Sequence, residues 1–256
     1  MRFNIKLSDK IIEINSIYQD VYELCRDYLY VMPDRTSKPD ITVTITQADI
    51  DFERSRDAEA EHATDGYLET LAVYRSIAEQ MLDFDTVLMH GSVIGVGDRA
   101  FMFTAASGVG KTTRTQWWLQ QVPDSYIING DKPLLHITDS EVIACGTPWS
   151  GKENLNADRS AALQAIILLE RLEEGQPENV SDGSTDITYS LQKISFLEAF
   201  AMLLQQTYRP ASPTLMSKTL NLLKKIGKNV PVYRYCCSLD DTDMIKIYKA
   251  AAGETV

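Results

Sequence analysis

Residues 2–7 (Arg-Phe-Asn-Ile-Lys-Leu) and 11–15 (Ile-Ile-Glu-Ile-Asn) alternate apolar with polar positions on either side of Ser8, Asp9 and Lys10. This period-two pattern predicts a β-hairpin with one buried face. Val21, Leu24, Cys25, Tyr28 and Leu29 then recur at helical spacing, and Pro33 and Pro39 bracket a loop. Residues 41–45 (Ile-Thr-Val-Thr-Ile) read as a strand by alternation and β-branching. Residues 49–61 are acidic with little periodicity, as in a surface helix or a connector. Leu71, Tyr74, Ile77, Ala78 and Met81 mark an amphipathic helix. Residues 1–82 are therefore expected to form a small α+β lobe with a connecting helix.

From Val87 onward the apolar positions become continuous. The runs 87–94 and 100–103 flank Gly95, Val96, Gly97 and Asp98, which predicts a second hairpin, and His90 falls within the first of these strands. Further buried strands are expected at 126–129, 134–137, 142–144 and 163–169, and a late one at 230–235. Helices are expected at 196–205, 215–226 and 240–251, and a turn-rich insertion or exposed loop at 175–185. The order predicts an α/β (α+β) fold, with residues 83–256 as a second domain.

The 256 residues are 44% hydrophobic, enough for a sizeable core. A formal net charge of −11 argues against a nucleic-acid backbone as partner. Lys224, Lys225 and Lys228 read as the solvated face and end of a helix. The four cysteines have neither zinc-ligand spacing nor the density of a disulfide scaffold, which points to a reducing compartment. No apolar run has the length of a membrane span and the first residues lack a signal-peptide core, so the expected location is the cytoplasm, away from membranes.

The candidate chemistry lies between residues 99 and 118. The apolar run Phe101, Met102, Phe103 leads through Thr104, Ala105 and Ala106 into Ser107, Gly108, Val109, Gly110, Lys111, Thr112 and Thr113, followed by a helix-compatible segment. Strand, glycine-rich turn and helix are the context a phosphate-binding loop needs. Gly108 and Gly110 let successive N–H groups turn inward to phosphate oxygens at a helix N-terminus. Lys111 is placed to reach the β- and γ-phosphates and Thr112 to ligate Mg²⁺. The first glycine of the usual pattern is Ala105, which asks for a loop without positive φ at that point. The strand 126–129 ends at Gly130 and Asp131, and an acidic residue so placed is a candidate second Mg²⁺ ligand. The loop 146–153 holds two glycines, Pro148, Trp149, Lys152 and Glu153. Trp149 and Lys152 are candidate substrate contacts, Lys152 against phosphate or an acidic group, while Lys152 and Glu153 also read as a surface ion pair. Trp117 and Trp118 are expected to pack on the sheet, and Arg114 faces either nucleotide or solvent.

His90, Gly91 and Ser92, a hairpin, and then the run from Phe103 to Thr112 together resemble the phosphoenolpyruvate carboxykinase and HPr kinase/phosphorylase superfamily. The resemblance covers roughly residues 86–155. It implies a mixed, strongly bent sheet, ATP and Mg²⁺ as donor and cofactor, and phosphoryl transfer rather than decarboxylation. It also implies that His90 hydrogen-bonds the γ-phosphate or accepts a proton; a lone His on an apolar strand is otherwise a core residue. Gly130 stands where the family usually has the first of two adjacent Asp residues. The candidate bases are then His90, Asp131 and Glu153, in that order. The expected activity is ATP-dependent transfer to a hydroxyl, foremost Ser or Thr of a protein or peptide, and the strand 41–45 is a candidate edge for such a partner. The alternatives are a nucleotide-dependent switch with weak hydrolysis, or a kinase of a small hydroxylated metabolite. The sequence assigns no oligomeric state.

Overall fold

The opening hairpin forms where its alternation places it. In a computed structural model that describes residues 1–34, 36–56, 58–171, 189–237 and 242–254, β1 (Arg2–Leu7) and β2 (Lys10–Asn15) pair antiparallel with Leu7 opposite Lys10. Ser8 and Asp9 take φ of 49° and 61°, the double positive φ of a tight two-residue turn whose twist suits its strands. The expected insertion at 175–185 lies outside the described residues. β3 (Ile41–Thr44) adds to β2 in parallel, completing a three-stranded sheet. Its buried isoleucines and Val43 pack with Val21 of α1 (Gln19–Leu24), Ile50 of α2 (Gln47–Ser55), and Leu68, Ala72 and Ile77 of α3 (Asp65–Gln80). The same apolar cluster runs on through Leu88, Leu134 and Cys145 of the neighbouring sheet and Trp149 of the loop that follows Cys145.

That second sheet has nine strands among the described residues. They are β4 (Thr86–Leu88), β5 (Ser92–Val96), β6 (Arg99–Thr104), β7 (Ser125–Asn129), β8 (Leu134–Ile137), β9 (Val142–Cys145), β10 (Ser160–Arg171), β11 (Tyr189–Ile194) and β12 (Val232–Cys237). The main path runs β4-β8-β9-β10-β6-β5-β7, and β12 joins β10 to β11. β10 lies parallel to both β6 and β12, and the other pairings are antiparallel, so the fold is α/β with a mixed sheet. Phe101 and Phe103 of β6 pack with α4 (Lys111–Gln121) and α7 (Met244–Ala252), while Ala100 and Met102 face α5 (Phe196–Gln206) and α6 (Pro213–Asn229). Burial on both faces is why this region reads as continuous apolar runs rather than alternation.

Two sequence expectations change here. Residues 87–94 are not one strand: β4 pairs with β8, β5 lies between β6 and β7, and His90 sits in the break. The break is needed because the sheet curls until the two ends of its strand order meet. β4 passes to β5 through residues 89–91 and β7 passes to β8 through 130–133, and the two crossings are joined by Met89 N–H to Pro133 O (3.2 Å) and Gly91 N–H to Asp131 O (2.9 Å). β11 was not expected, and it forms by pairing with β12. Among the described residues no helix is long and apolar enough to cross a membrane.

Glu69 fixes the lobe's geometry. It is fully buried on α3 and accepts the backbone N–H groups of Ile17 (2.6 Å) and Tyr18 (2.8 Å), holding the chain as it turns into α1. Glu69→Gln replaces one acceptor by a donor that faces an N–H, and is expected to lower unfolding free energy by about 2 kcal/mol. Urea denaturation measures the loss; a midpoint equal to that of the parent protein contradicts this role.

Candidate active site

β6 ends at Thr104 and α4 begins at Lys111, and the turn between them is shaped by two glycines with φ of 81° (Gly108) and 107° (Gly110). Ala105 is buried and is not among the positive-φ residues, so the loop leaves the strand without the left-handed step that a glycine there would permit. Lys111 arcs back over the turn, its Nζ donating to Ala105 O (3.0 Å) and Ala106 O (3.4 Å). Burial pushes its ammonium below the ordinary lysine value, with the Asp131 carboxylate opposing and Lys132 adding to the shift. Thr115, one turn into α4, donates to Lys111 O (2.9 Å) and lies 2.8 Å from the Ser92 hydroxyl, anchoring the helix start to β5.

Facing this turn is the crossing of the two sheet ends. Asn129, fully buried at the end of β7, accepts the N–H groups of Asp131 (2.9 Å) and Lys132 (2.7 Å) on its Oδ1 and donates from Nδ2 to Thr147 O (2.9 Å). This turn presents the Asp131 carboxylate to two partners: His90 Nε2 lies 3.1 Å from Oδ1, and Lys132 Nζ lies 3.2 Å from Oδ2. Burial alone raises a carboxyl, yet the His90 hydrogen bond and the Lys132 charge outweigh it and hold Asp131 below its ordinary value. Behind the imidazole, Nδ1 lies 2.7 Å from Gln206 Oε1, and the Gln206 carbonyl accepts His90 N–H at 2.6 Å. With the amide so oriented, Gln206 Oε1 accepts from His90 Nδ1–H and Nε2 faces the carboxylate.

Gly130 is spatially constrained. A Cβ there lies 3.1 Å from Leu155 Cβ and 3.2 Å from the carbonyl oxygens of Leu155 and Ser150, and its N–H already donates to Leu155 O (2.7 Å). The 150–155 loop packs closely on Gly130, and Asp131 is the acidic side chain that the strand end delivers.

A cavity of about 440 Å³ lies between the two arrangements and is lined by His90, Ser107, Gly108, Gly110, Lys111, Thr112, Asp131, Lys152 and Glu153 among others. Nine residues singled out from the sequence thus share one space. Val109 instead packs toward the α4/α7 cluster, and Thr113 is exposed on α4 outside the lining. Trp149 is buried, donates from Nε1 to Thr70 O (3.1 Å), and packs against Tyr74 with ring centroids 5.7 Å apart. Lys152 and Glu153 are exposed and do not pair with one another. Trp118 packs between Phe101, Phe103 and Tyr248, and Arg114 is buried with its guanidinium 5.4 Å from the Trp117 ring centroid. Gln206, Lys132, Ser92 and Thr115 join the site without having been anticipated. Two had a local signal, Lys132 in its adjacency to Asp131 and Ser92 in the His90-Gly91-Ser92 run.

Among the described residues no three His, Cys, Asp or Glu side chains converge as a metal cage. The cavity walls carry two carboxylates, Asp131 and Glu153, and the Thr112 hydroxyl at the start of α4 among other hydroxyls. This sparse oxygen set fits Mg²⁺, which keeps waters and takes its other ligands from substrate phosphates.

No protein-family model and no curated protein matches the chain. Among solved structures it is similar to the HPr(Ser) kinase/phosphatase from Coxiella burnetii at 9% identity, covering 65% of this chain and 87% of that one, with a TM-score of 0.34. At that TM-score the likeness carries no argument about the site.

Gly130→Ala tests the crowding. Placing a methyl against two backbone carbonyls is expected to cost about 1–3 kcal/mol, as overpacking does. Thermal unfolding reads the loss, and a variant as stable as the parent protein contradicts close packing of the 150–155 loop.

Proposed function

We propose that the chain is an ATP-dependent kinase of the HPr-kinase-like kind, with a P-loop at residues 105–112, that transfers the γ-phosphoryl group to a hydroxyl, foremost Ser or Thr of a protein or peptide. One observation carries this reading: a glycine-shaped turn at a helix N-terminus and a hydrogen-bonded Asp131–His90–Gln206 chain face each other across a single cavity. The first arrangement suits phosphates, because backbone N–H groups, the α4 dipole and the Lys111 charge all favour anions there. The second suits proton transfer. With Nδ1 committed to Gln206, the space between His90 Nε2 and Asp131 Oδ1 holds one further proton, taken from the acceptor hydroxyl as its oxygen bonds to phosphorus and ADP leaves. A proton shared between imidazole and carboxylate answers the shortage of carboxylates created by Gly130.

Thr112 and Asp131 are the residues that would hold Mg²⁺, which when bound neutralises charge on the phosphates. Lys111 leaves its two backbone carbonyls to meet phosphate oxygens. Lys132 keeps Asp131 ionised, and Lys152 lines the cavity opposite the turn. Glu153 lies on the same wall and remains an alternative base.

Lys111→Ala is expected to abolish calorimetric binding of Mg-ATP while the circular dichroism spectrum is unchanged; equal affinities in the two proteins would sink the nucleotide assignment. Incubation with γ-labelled ATP and Mg²⁺, alone and with cell lysate, then tests transfer. Label appearing on Ser or Thr of a protein supports the kinase. Label recovered only as inorganic phosphate replaces it with a nucleotide-hydrolysing switch.

Loss of the carboxylate is expected to exceed loss of its orienting partner. Asp131→Asn is expected to lower transfer by about 10³-fold or more, and Gln206→Leu by about 10- to 100-fold with Mg-ATP affinity retained. Comparable losses in the two variants, or near-normal turnover in Asp131→Asn, contradict the division of roles.

A further inference from the structure

A second cavity, of about 570 Å³, adjoins the first and shares Asp131, Ser150, Gly151 and Lys152 with it. It lies between the lobe and the large sheet: α1 and α3 form one side, and the 148–154 loop forms the other. Its middle is apolar and aromatic, with Leu24, Tyr67, Leu71, Tyr74 and Trp149. The wall is rigid where it matters, since Trp149 is pinned to Thr70 O and stacked obliquely on Tyr74. Tyr67 is 55% exposed and Leu71 and Tyr74 are half-buried, so this surface is open to a ligand.

The two ends differ in charge. The inner end holds Asp131, Lys132 and Lys152; Lys132 is already paired with Asp131, and Lys152 stands on the wall common to the phosphate cavity. The outer end holds Asp20 and Glu23 of α1. Asp20 lies against the first turn of α3, where its carboxylate fills the space that a Cβ on Gly66 would take. Glu23 accepts from the Gln19 amide (2.7 Å), and neither carboxylate has a Lys or Arg partner among the described residues. The cavity thus runs from a group able to take a hydroxyl proton, over an aromatic floor, to two carboxylates without a counter-cation.

We infer that this second cavity is the acceptor site and that the acceptor is a Ser or Thr in a basic peptide. The hydroxyl sits at Asp131, an apolar neighbour lies on Tyr67, Leu71 and Tyr74, and a Lys or Arg reaches Asp20 and Glu23. The inference rests on the kinase reading above and adds the substrate class to it. A cavity of this size, mostly apolar with a few polar groups at its ends, is of the kind that buries a drug-sized ligand, and it is larger than a free amino alcohol fills. The net charge of −11 adds long-range attraction for a cationic partner.

The test is phosphorylation of a positional-scanning library of Ser/Thr peptides with γ-labelled ATP, with ethanolamine as a small-molecule control. Wild type is expected to prefer Lys or Arg over Asp or Glu at one or more positions by about fivefold, the discrimination a partly exposed ion pair allows. Glu23→Lys, at an exposed position, is expected to erase or reverse that preference while calorimetric affinity for Mg-ATP stays at the wild-type value. A preference for acidic peptides, no charge preference, a preference unchanged in Glu23→Lys, or ethanolamine phosphorylated as well as the best peptide overturns the inference. If Mg-ATP binds and Lys111→Ala abolishes that binding, such a result removes the acceptor assignment alone. If wild type binds no Mg-ATP, the kinase reading falls, and the acceptor assignment with it.

Discussion

The whole arrangement depends on the two chain crossings that close the curl of the large sheet. Gly91 N–H donates to Asp131 O and Met89 N–H to Pro133 O, so the crossing from β4 to β5 and the crossing from β7 to β8 lie side by side as a short continuation of the ladder. His90 lies between β4 and β5 and Asp131 between β7 and β8; β4 pairs with β8 and β5 with β7, and the crossing between these two ladders brings Nε2 within 3.1 Å of Oδ1. The same closure sets both residues opposite the turn before α4, because β5 and β6 are paired neighbours and Thr115 is tied to Ser92. Backbone hydrogen bonds at the crossing therefore fix the distance between the phosphate-type turn and the carboxylate.

Charge placement follows from that geometry. Lys111, Asp131 and Lys132 are all partly buried: burial disfavours the Lys111 ammonium, whereas the contacts with His90 and Lys132 keep Asp131 ionised against its own desolvation. Phosphates entering the cavity would meet the Lys111 and Lys152 cations on walls that also carry the Asp131 and Glu153 carboxylates. The anion would relieve the Lys111 desolvation cost that the empty turn now meets only through carbonyls 105 and 106. Preorganised charge of this kind helps most where water is excluded, which is how phosphoryl-transfer sites gain most of their effect.

How far the sequence disclosed this depends on the range of each interaction. The turn from Ser107 to Thr112 is local: strand, glycines and helix start lie within about one β-α unit, and its residue types state their purpose. The hairpin at Ser8 and Asp9 was legible for the same reason. His90 was legible as a residue but misplaced as a strand position, because apolar residues stand on both sides of His90, Gly91 and Ser92 and periodicity carries no mark of a sheet closing on itself. Gln206 left no signal at all. It stands 116 residues from His90 and ends a helix whose apolar face gives no hint that its last side chain meets an imidazole. Gly130 was noticed as a missing carboxylate, whereas its cause, the 150–155 loop pressed against it, is a tertiary contact that no local pattern encodes.

The segment that follows α5 joins these parts. Gln206 orients His90, Thr207 bridges to Met89, and Tyr208 N–H donates to Leu88 O (2.9 Å) while its hydroxyl donates to Glu79 of α3 (2.9 Å). Tyr208 also packs edge-on against Tyr74, which in turn contacts Trp149 of the loop above Asp131. Three consecutive residues thus tie the proton-handling pair to the helix that walls the second cavity. Because the lobe's apolar cluster also runs through Leu88, Leu134 and Trp149, α3 is held to the large sheet by a shared core as well as by these hydrogen bonds. A wall so anchored keeps its aromatic floor and the Asp131 carboxylate in fixed register, so discrimination between acceptors falls to side chains along α1 and α3 rather than to closure of one part on the other.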